Sequence, residues 1–179
     1  MDVLTPTQRR LNMSRIRSRD TQPELLIRRG LHAQGFRFRL HQGQLPGRPD
    51  LALPRHHTVI FVNGCFWHSH GCHISRMPET RREYWQPKLD RTVQRDRDAI
   101  DALQVAGWRV VLVWECALRG RTRLAAGAAV AKVSNFIRAD TGMLLSVSGV
   151  ETVSFPRRLP SGGSDFGVHI PQQGRHGRA

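Results

Sequence analysis

The chain has 179 residues, with 28 Lys or Arg against 14 Asp or Glu, a formal net charge of +14. This length allows one domain with a buried core plus extensions, and an apolar fraction of 39% indicates a globular protein rather than a disordered one. No apolar run is long enough for a transmembrane helix. The first residues lack the apolar segment of an export signal, so we expect a cytoplasmic protein.

Residues 1–20 form a basic N-terminal arm that precedes any apolar periodicity. The arginines of this arm are Arg9, Arg10, Arg15, Arg17 and Arg19. Nearly all of the basic excess of the chain is arginine, since only Lys88 and Lys132 are lysines. Guanidinium groups bind phosphates in pairs of hydrogen bonds, so we expect a polyanionic partner. The arm itself either follows a phosphate backbone or is a solvated leader.

The first predicted elements follow the arm directly. Thr21 and Glu24 fit a capping box, and the apolar residues after them predict a helix that ends near Gly35. Residues 36–40 alternate apolar and basic side chains, as a half-buried strand does. A turn-rich segment then leads to a short strand over residues 50–53.

The second half of the predicted order contains the most apolar segments. Residues 58–62 predict an interior strand, 88–106 a helix that ends before Gly107, and 108–114 a buried strand. An Ala-rich helix is predicted over residues 121–138. The order α-β-β-β-α-β-α predicts a mixed α/β sheet flanked by helices, which is similar to the core order of the restriction-endonuclease-like nucleases.

The composition changes after residue 140, where glycines and prolines interrupt the sequence without apolar periodicity. We therefore divide the chain into the basic arm over residues 1–20, a folded domain over 21–140 and a C-terminal extension over 141–179. We expect this extension to be largely disordered.

The number of cysteines is odd, which argues against a disulfide framework. The cysteines are Cys65, Cys72 and Cys116. With His70, which lies between the first two, they make a Cys₃His set, the usual donor set of a closed, tetrahedral, structural zinc site. His68 or His73 are alternatives to His70 as the nitrogen ligand. The other interpretation is three buried thiols beside surface histidines.

A carboxylate stands where a catalytic metal would be bound. Asp50 begins a predicted strand, and a carboxylate there can bind Mg²⁺ for phosphodiester hydrolysis, although a turn aspartate after proline is the ordinary interpretation. The next strand ends at Asn63 and would bring Asn63 and His68 near Asp50. Most nucleases of this fold have a second acidic residue and a lysine on that strand. Here it has neither, so a histidine would have to supply what the lysine does.

Two large aromatic residues, Phe66 and Trp67, adjoin the cysteine loop. They are either core residues or, in a basic protein, wedges that insert between base pairs. Met13, which lies in the basic arm, is a candidate wedge from the opposite groove.

Together these segments resemble the very-short-patch-repair (Vsr) mismatch endonucleases over residues 12–121. The resemblance rests on Leu45-Pro46-Gly47-Arg48-Pro49-Asp50, on Gly64-Cys65-Phe66-Trp67-His68, and on residues 12–13, 19–21, 95–97 and 114–120. It implies a restriction-endonuclease-like (PD-(D/E)xK-type) fold with a structural zinc. It also implies a Mg²⁺-dependent nick 5′ of the thymine in a T:G mismatch of double-stranded DNA. Such mismatches arise when 5-methylcytosine deaminates, so we expect functional pairing with a cytosine-5 DNA methyltransferase, and a monomeric enzyme.

The resemblance also assigns residues. It implies that Asp50 is the metal-binding carboxylate, that His68 is the catalytic histidine and that Val62 binds the magnesium through its backbone carbonyl. Glu24 matches an acidic residue close to the active site and is equally the capping-box glutamate. The implied zinc ligands are Cys65, His70, Cys72 and Cys116. The implied DNA-binding residues are Met13, Phe66, Trp67 and Lys88.

One position departs from the family pattern. Asn63 stands where the best-known members have a second histidine near the metal-bound water, and an amide cannot act as a general base at neutral pH. Cleavage is then slower, or depends on His68 alone, or Asn63 is normal in a subfamily. We favour an active enzyme. The competing hypotheses are a zinc-stabilised DNA-binding module without catalysis and a restriction endonuclease that cuts both strands.

Overall fold

The computed structural model describes residues 19–150 and, in the basic arm, residues 5, 7, 8, 10 and 11. The helices are α1 (Gln22–Ala33), α2 (Arg82–Val105), α3 (Glu115–Leu118) and α4 (Ala128–Ala139). The strands are β1 (Arg39–Leu40), β2 (Leu51–Leu53), β3 (Thr58–Asn63), β4 (Arg109–Trp114) and β5 (Leu144–Val147). The predicted Met13 wedge and residues 151–179 of the predicted extension lie outside the described residues.

The strands form one mixed sheet in the order β1-β2-β3-β4-β5. The first three strands pair antiparallel, whereas β3–β4 and β4–β5 pair in parallel. The predicted mixed α/β sheet with helices is therefore confirmed. In the described part of the chain, no helix has both the length and the apolarity that crossing a bilayer would require.

The sheet separates two apolar cores because neighbouring side chains on a strand point to opposite faces. On β4, Val111 and Val113 pack with Ile27 of α1 and Ile137 of α4. The alternate β4 residues pack with Leu103 of α2 and with the three buried cysteines on the other face. The residues of β4 are all buried, as expected for a strand covered on both faces.

Helices α1 and α4 cross in close contact at Gly30. A Cβ atom at this position would lie 2.6 Å from Val130 Cγ2, so only glycine allows the two backbones to approach this far. The N-terminus of α1 is capped as predicted, since the Thr21 hydroxyl accepts a hydrogen bond from the Glu24 backbone N–H at 3.4 Å. The Glu24 carboxylate instead faces Arg28, so only half of the capping box forms.

Three predicted boundaries were wrong. Helix α2 begins at Arg82 rather than at 88 and continues through Pro87, because its first turns are held by aromatic contacts described below. Helix α4 begins at Ala128 rather than at 121, after Gly127 has taken a left-handed conformation with φ +78°. The first strand is limited to Arg39–Leu40, where it pairs with β2.

Strand β5 was not predicted at all. It pairs in parallel with β4, with Val110 opposite Leu144, so residues 144–147 belong to the sheet. The buried guanidinium of Arg109 brings the chain to this position. It donates hydrogen bonds to the carbonyls of Phe136, Ile137, Thr141 and Gly142, and to the Asp140 carboxylate. These bonds satisfy carbonyls at the end of α4 and turn the chain into β5.

We expect Arg109→Met to lower the free energy of unfolding by about 3 kcal/mol, because buried carbonyls lose charged donors. Urea denaturation of the full chain measures this. Lys132→Met, at an exposed position on α4, is the matched control and should change stability by less than about 0.5 kcal/mol. Equal effects of the two substitutions would contradict this account of β5.

Candidate active site and metal centre

Asp50 lies just before β2, beside the carboxyl end of β3. The antiparallel register pairs Leu51 with Ile60, so the Asp50 side chain reaches the next residues of β3. Its Oδ2 accepts a hydrogen bond from the Val62 backbone N–H at 2.7 Å. The strand pairing therefore holds Asp50 and Val62, two of the predicted metal-binding residues, side by side.

Burial raises the pKa of the Asp50 carboxyl above its ordinary value. The Val62 N–H and the nearby positive or polarisable groups of His41, Arg28 and His68 act in the opposite direction without cancelling the effect of burial. The Asp50 carboxylate has lost hydration without gaining enough neighbouring positive charge to compensate. Its charged form is therefore stabilised by binding a cation.

His68 lies in the loop after β3, and its Nδ1 is 2.5 Å from Oδ2 of Asp96 on α2. Because a carboxylate accepts hydrogen bonds, this contact favours the proton on Nδ1 and leaves Nε2 with a free lone pair. Nε2 can then accept a proton, and Asp96 would stabilise the imidazolium that results. Asp96 lies within residues 95–97, a segment that carries the family resemblance, but the sequence analysis gave it no role. Only the packing of α2 against the loop reveals it.

Asn63 and Glu24, two further predicted site residues, are both buried. Asn63 is the last residue of β3 and pairs with Trp114 of β4. Glu24 is 2% exposed, and its Oε1 lies 3.4 Å from Nε2 of His41. The second ring nitrogen of His41 is 3.9 Å from Asp50 Oδ1. Glu24 thus approaches Asp50 through His41, a residue that the sequence analysis did not single out.

The second cluster joins the loop after β3 to helix α3. Its members are Cys65, His70, Cys72 and Cys116, whose ligand atoms all lie within 4.8 Å of one another. The cysteines are buried, and Cys116 Sγ is 3.6 Å from His70 Nδ1. Of the histidines considered from the sequence, the fold brings His70 to the cysteines, whereas His68 faces Asp96.

Neighbouring groups hold the donor atoms of this cluster in place. The His70 ring stacks on Trp114 with 4.1 Å between centroids, and its Nε2 is 3.3 Å from the Ser148 hydroxyl. Burial raises the pKa of the Cys65 thiol. Burial acts in the same direction on Cys72, but the Ile74 backbone N–H and thiol contacts outweigh it and lower the pKa of Cys72. The pKa values of Cys65 and Cys72 thus shift in opposite directions, and their thiols share a hydrogen bond. A cation could bind both sulfur atoms.

A third group of side chains forms an aromatic cluster at the surface. Phe66 packs edge to face against Trp67 at 5.0 Å and against Trp85 at 5.3 Å. Tyr84, which is 56% exposed, packs on Trp85 at 5.3 Å. Lys88 Nζ lies 5.3–5.7 Å from the ring centroids of Trp67, Tyr84 and Trp85. Sequence reasoning missed Tyr84 and Trp85 because it began the helix at residue 88.

The sequence matches one protein family and is similar to several known nicking and mismatch endonucleases. The family described as "DNA mismatch endonuclease Vsr" matches residues 1–74. The chain is 48% identical over 117 residues to the type II nicking enzyme V.XorIIP of Xanthomonas oryzae, covering 65% of this chain and 86% of that protein. It is 44% identical over 136 residues to the DNA mismatch endonuclease Vsr of Escherichia coli, covering 76% and 87%. The type II nicking enzyme V.NmeAIP of Neisseria meningitidis is 36% identical over 120 residues, covering 67% and 86%.

The raised pKa of Asp50 predicts a pH-dependent cost in stability. A carboxyl whose pKa is raised by folding stabilises the folded state only below its unfolded value, 3.8, and destabilises it as the pH rises through the folded value. Without added divalent cation, Asp50→Asn should be more stable than the wild type at pH 7, and this difference should shrink towards pH 4. Urea denaturation across this range measures it. Asp101→Asn on the exposed face of α2 is the control and should show no such trend. An Asp50→Asn variant that is less stable than the wild type at pH 7 would contradict the prediction.

Proposed function

Because the chain belongs to the Vsr family of DNA mismatch endonucleases, we propose that it nicks one strand of duplex DNA 5′ of the thymine in a T:G mismatch. The observation that carries the proposal is a partly buried carboxylate near an oriented imidazole. Asp50 is held by the Val62 N–H, and His68 is held by Asp96, at the same end of β3. This arrangement supports a restriction-endonuclease-like site of PD-(D/E)xK type, in which His68 replaces the usual lysine.

The residues at Asp50 fit a magnesium ion. Mg²⁺ prefers hard oxygen ligands, which the Asp50 carboxylate and the Val62 backbone carbonyl would supply. The raised pKa of Asp50 supports this fit, since a cation would offset the charge that burial makes costly. When bound, Mg²⁺ supplies Lewis-acid stabilisation of the phosphate and a lower pKa for a bound water.

His68 is the group that would handle the proton. Its Nε2 accepts a proton from the attacking water, while Asp96 keeps the proton on Nδ1 and stabilises the charged ring. Asn63 can orient a water or a phosphate oxygen by hydrogen bonding but cannot remove a proton. We therefore expect the reaction to depend on His68 for proton transfer.

The aromatic cluster supports recognition of a weakened base step. Phe66, Trp67 and Trp85 are half-buried rings that pack against one another beside the Lys88 ammonium group. Inserting rings between base pairs costs free energy for unstacking, and this cost is lowest at a mispaired step. Met13 and the basic arm are proposed to contact the duplex from the opposite groove. Lys88 and the arginines bind phosphates regardless of sequence.

The Cys₃His cluster fits a structural zinc. In a tetrahedral site, Zn–S and Zn–N bonds of about 2.3 and 2.0 Å would place sulfur and nitrogen about 3.5 Å apart, close to the 3.6 Å between Cys116 Sγ and His70 Nδ1. The Ser148 hydroxyl at Nε2 fixes the ring, as partners of metal-bound histidines commonly do. Zinc would close the loop of residues 65–72, which contains Phe66, Trp67 and His68.

We place the enzyme downstream of cytosine-5 DNA methylation, because deamination of 5-methylcytosine produces thymine opposite guanine. We expect the protein to act in the cytoplasm, since the proposed substrate is chromosomal DNA, and we expect it to be a monomer.

Incubation of end-labelled homoduplex and T:G heteroduplex with Mg²⁺ tests the proposal. The wild type should nick only the thymine strand of the heteroduplex, and Asp50→Ala should slow this by about a thousandfold. Asp101→Ala, at an exposed carboxylate on α2, should keep the wild-type rate. Binding without cleavage would favour the non-catalytic DNA-binding module, and a double-strand break in homoduplex would favour a restriction endonuclease.

Metal analysis tests the zinc assignment. The purified wild type should contain about one zinc per chain, and Cys116→Ser should lose it together with thermal stability. Ser148→Ala should weaken zinc affinity by about tenfold without unfolding the protein. Ser134→Ala, which removes a buried hydroxyl on α4, should leave zinc binding unchanged. A zinc-free wild type with an unaffected Cys116→Ser variant would refute the assignment.

A further inference from the structure

A buried charge cluster separates Asp50 from helix α1, and the proposed mechanism does not use it. Arg28, which is 8% exposed, forms ion pairs with Glu24 and with Asp20, the latter at 2.5 Å. Its Nη2 also lies 2.8 Å from His41 Nε2. Asp20, Glu24 and His41 approach closely enough to hold a metal ion, but the Arg28 guanidinium already supplies the positive charge there.

His41 is tied to Asp50 through both its backbone and its side chain. It follows β1 in a left-handed conformation, φ +45°, and its backbone N–H donates to the Asp50 carbonyl at 3.3 Å. Its imidazole Nδ1 lies 3.9 Å from Asp50 Oδ1. The side chain is 18% exposed, so protein surrounds most of it and a small part is open to solvent.

Arg28 determines which ring nitrogen of His41 has the hydrogen. A guanidinium only donates hydrogen bonds, so the 2.8 Å contact is favourable only if His41 Nε2 is an acceptor. The ring hydrogen is then on Nδ1 and faces Asp50. Glu24 Oε1 lies farther from Nε2, at 3.4 Å, and is itself engaged by Arg28.

The distance from His41 to Asp50 leaves room for one oxygen atom. At 3.9 Å, Nδ1 and Oδ1 are too far apart for a direct hydrogen bond. One water at about 2.8 Å from each atom could accept a hydrogen bond from Nδ1–H and donate one to Oδ1. An N–H donor at that place can orient such an oxygen but cannot remove a proton from it.

We propose that His41 is a further catalytic residue of the nicking reaction, and that Arg28 positions it. The His41 Nδ1–H donates to a water or scissile-phosphate oxygen beside Asp50, and Arg28 holds the ring in the Nδ1–H tautomer. This rests on the proposed function, because it assigns His41 to the same site. It places a donor between Asp50 and Arg28 of α1.

Single-turnover nicking with saturating T:G duplex tests the role of His41. His41→Ala should lower the rate by about tenfold or more, with the duplex Kd within twofold of wild type. His41→Asn should recover most of the rate, because its Nδ2–H takes the place of Nδ1–H. His32→Ala, at an exposed histidine on α1, should have no effect. A wild-type rate for His41→Ala, or no recovery with His41→Asn, would overturn the proposal.

Histidine ¹⁵N NMR of the full-length wild type tests the role of Arg28 without reference to activity. His41 should show a protonated Nδ1 and an unprotonated Nε2, and Arg28→Met should add the other tautomer. Arg28→Met should slow nicking more in the wild type than in the His41→Asn background, since an amide has no tautomer to lose. Melting temperatures identify loss of folding. A His41 with the hydrogen on Nε2 would overturn the proposal, whereas a wild type that nicks no T:G duplex would refute the proposed function alone.

Discussion

Parallel pairing of β3 with β4, from Thr58–Arg109 to Asn63–Trp114, is the constraint on which both sites depend. Parallel strands end at the same edge of a sheet, and Cys65 and Cys116 each follow the last pair by two residues. The Cys116 backbone N–H donates to Cys65 Sγ at 3.3 Å as a direct result. The same strand end presents Val62 to Asp50. A change that shifts this register would therefore separate Cys116 from Cys65 and break up the candidate metal cluster.

The loop after β3 contributes side chains both to the cysteine cluster and to the candidate active site. Its cysteines and His70 turn inward to the metal cluster, whereas Phe66 and Trp67 reach the surface and His68 faces α2. A loop of this length has many conformations when it is free, and ordering it costs conformational entropy. Tying its ends to α3 lowers that cost. Bound at the cysteine cluster, this loop would hold Phe66, Trp67 and the His68 imidazole in a fixed position relative to Asp50.

Electrostatics at Asp50 are balanced by groups from four parts of the chain. Val62 of β3, His41 after β1, Arg28 of α1 and His68 of the loop all favour its charged form, yet burial still raises its pKa. Arg28 is itself shared by two carboxylates, so it cannot fully compensate Asp50. Under the proposed function, a divalent cation would supply the remaining positive charge, although the site has a single predicted metal-binding carboxylate.

The sequence by itself determined the secondary-structure elements and the candidate metal-binding side chains that depend on local chemistry. Alternating and β-branched residues predicted the strands, the Thr21 cap predicted α1, and an odd cysteine count with nearby histidines predicted a metal cluster. Tertiary structure alone decided which side chains meet: His70 at the cysteines, Asp96 at His68, Trp85 with Phe66. It also decided strand β5, whose position depends on hydrogen bonds from Arg109, more than 25 residues away along the chain. Such contacts join residues distant in sequence, and their free energy comes from burial and hydrogen bonding that no local pattern records.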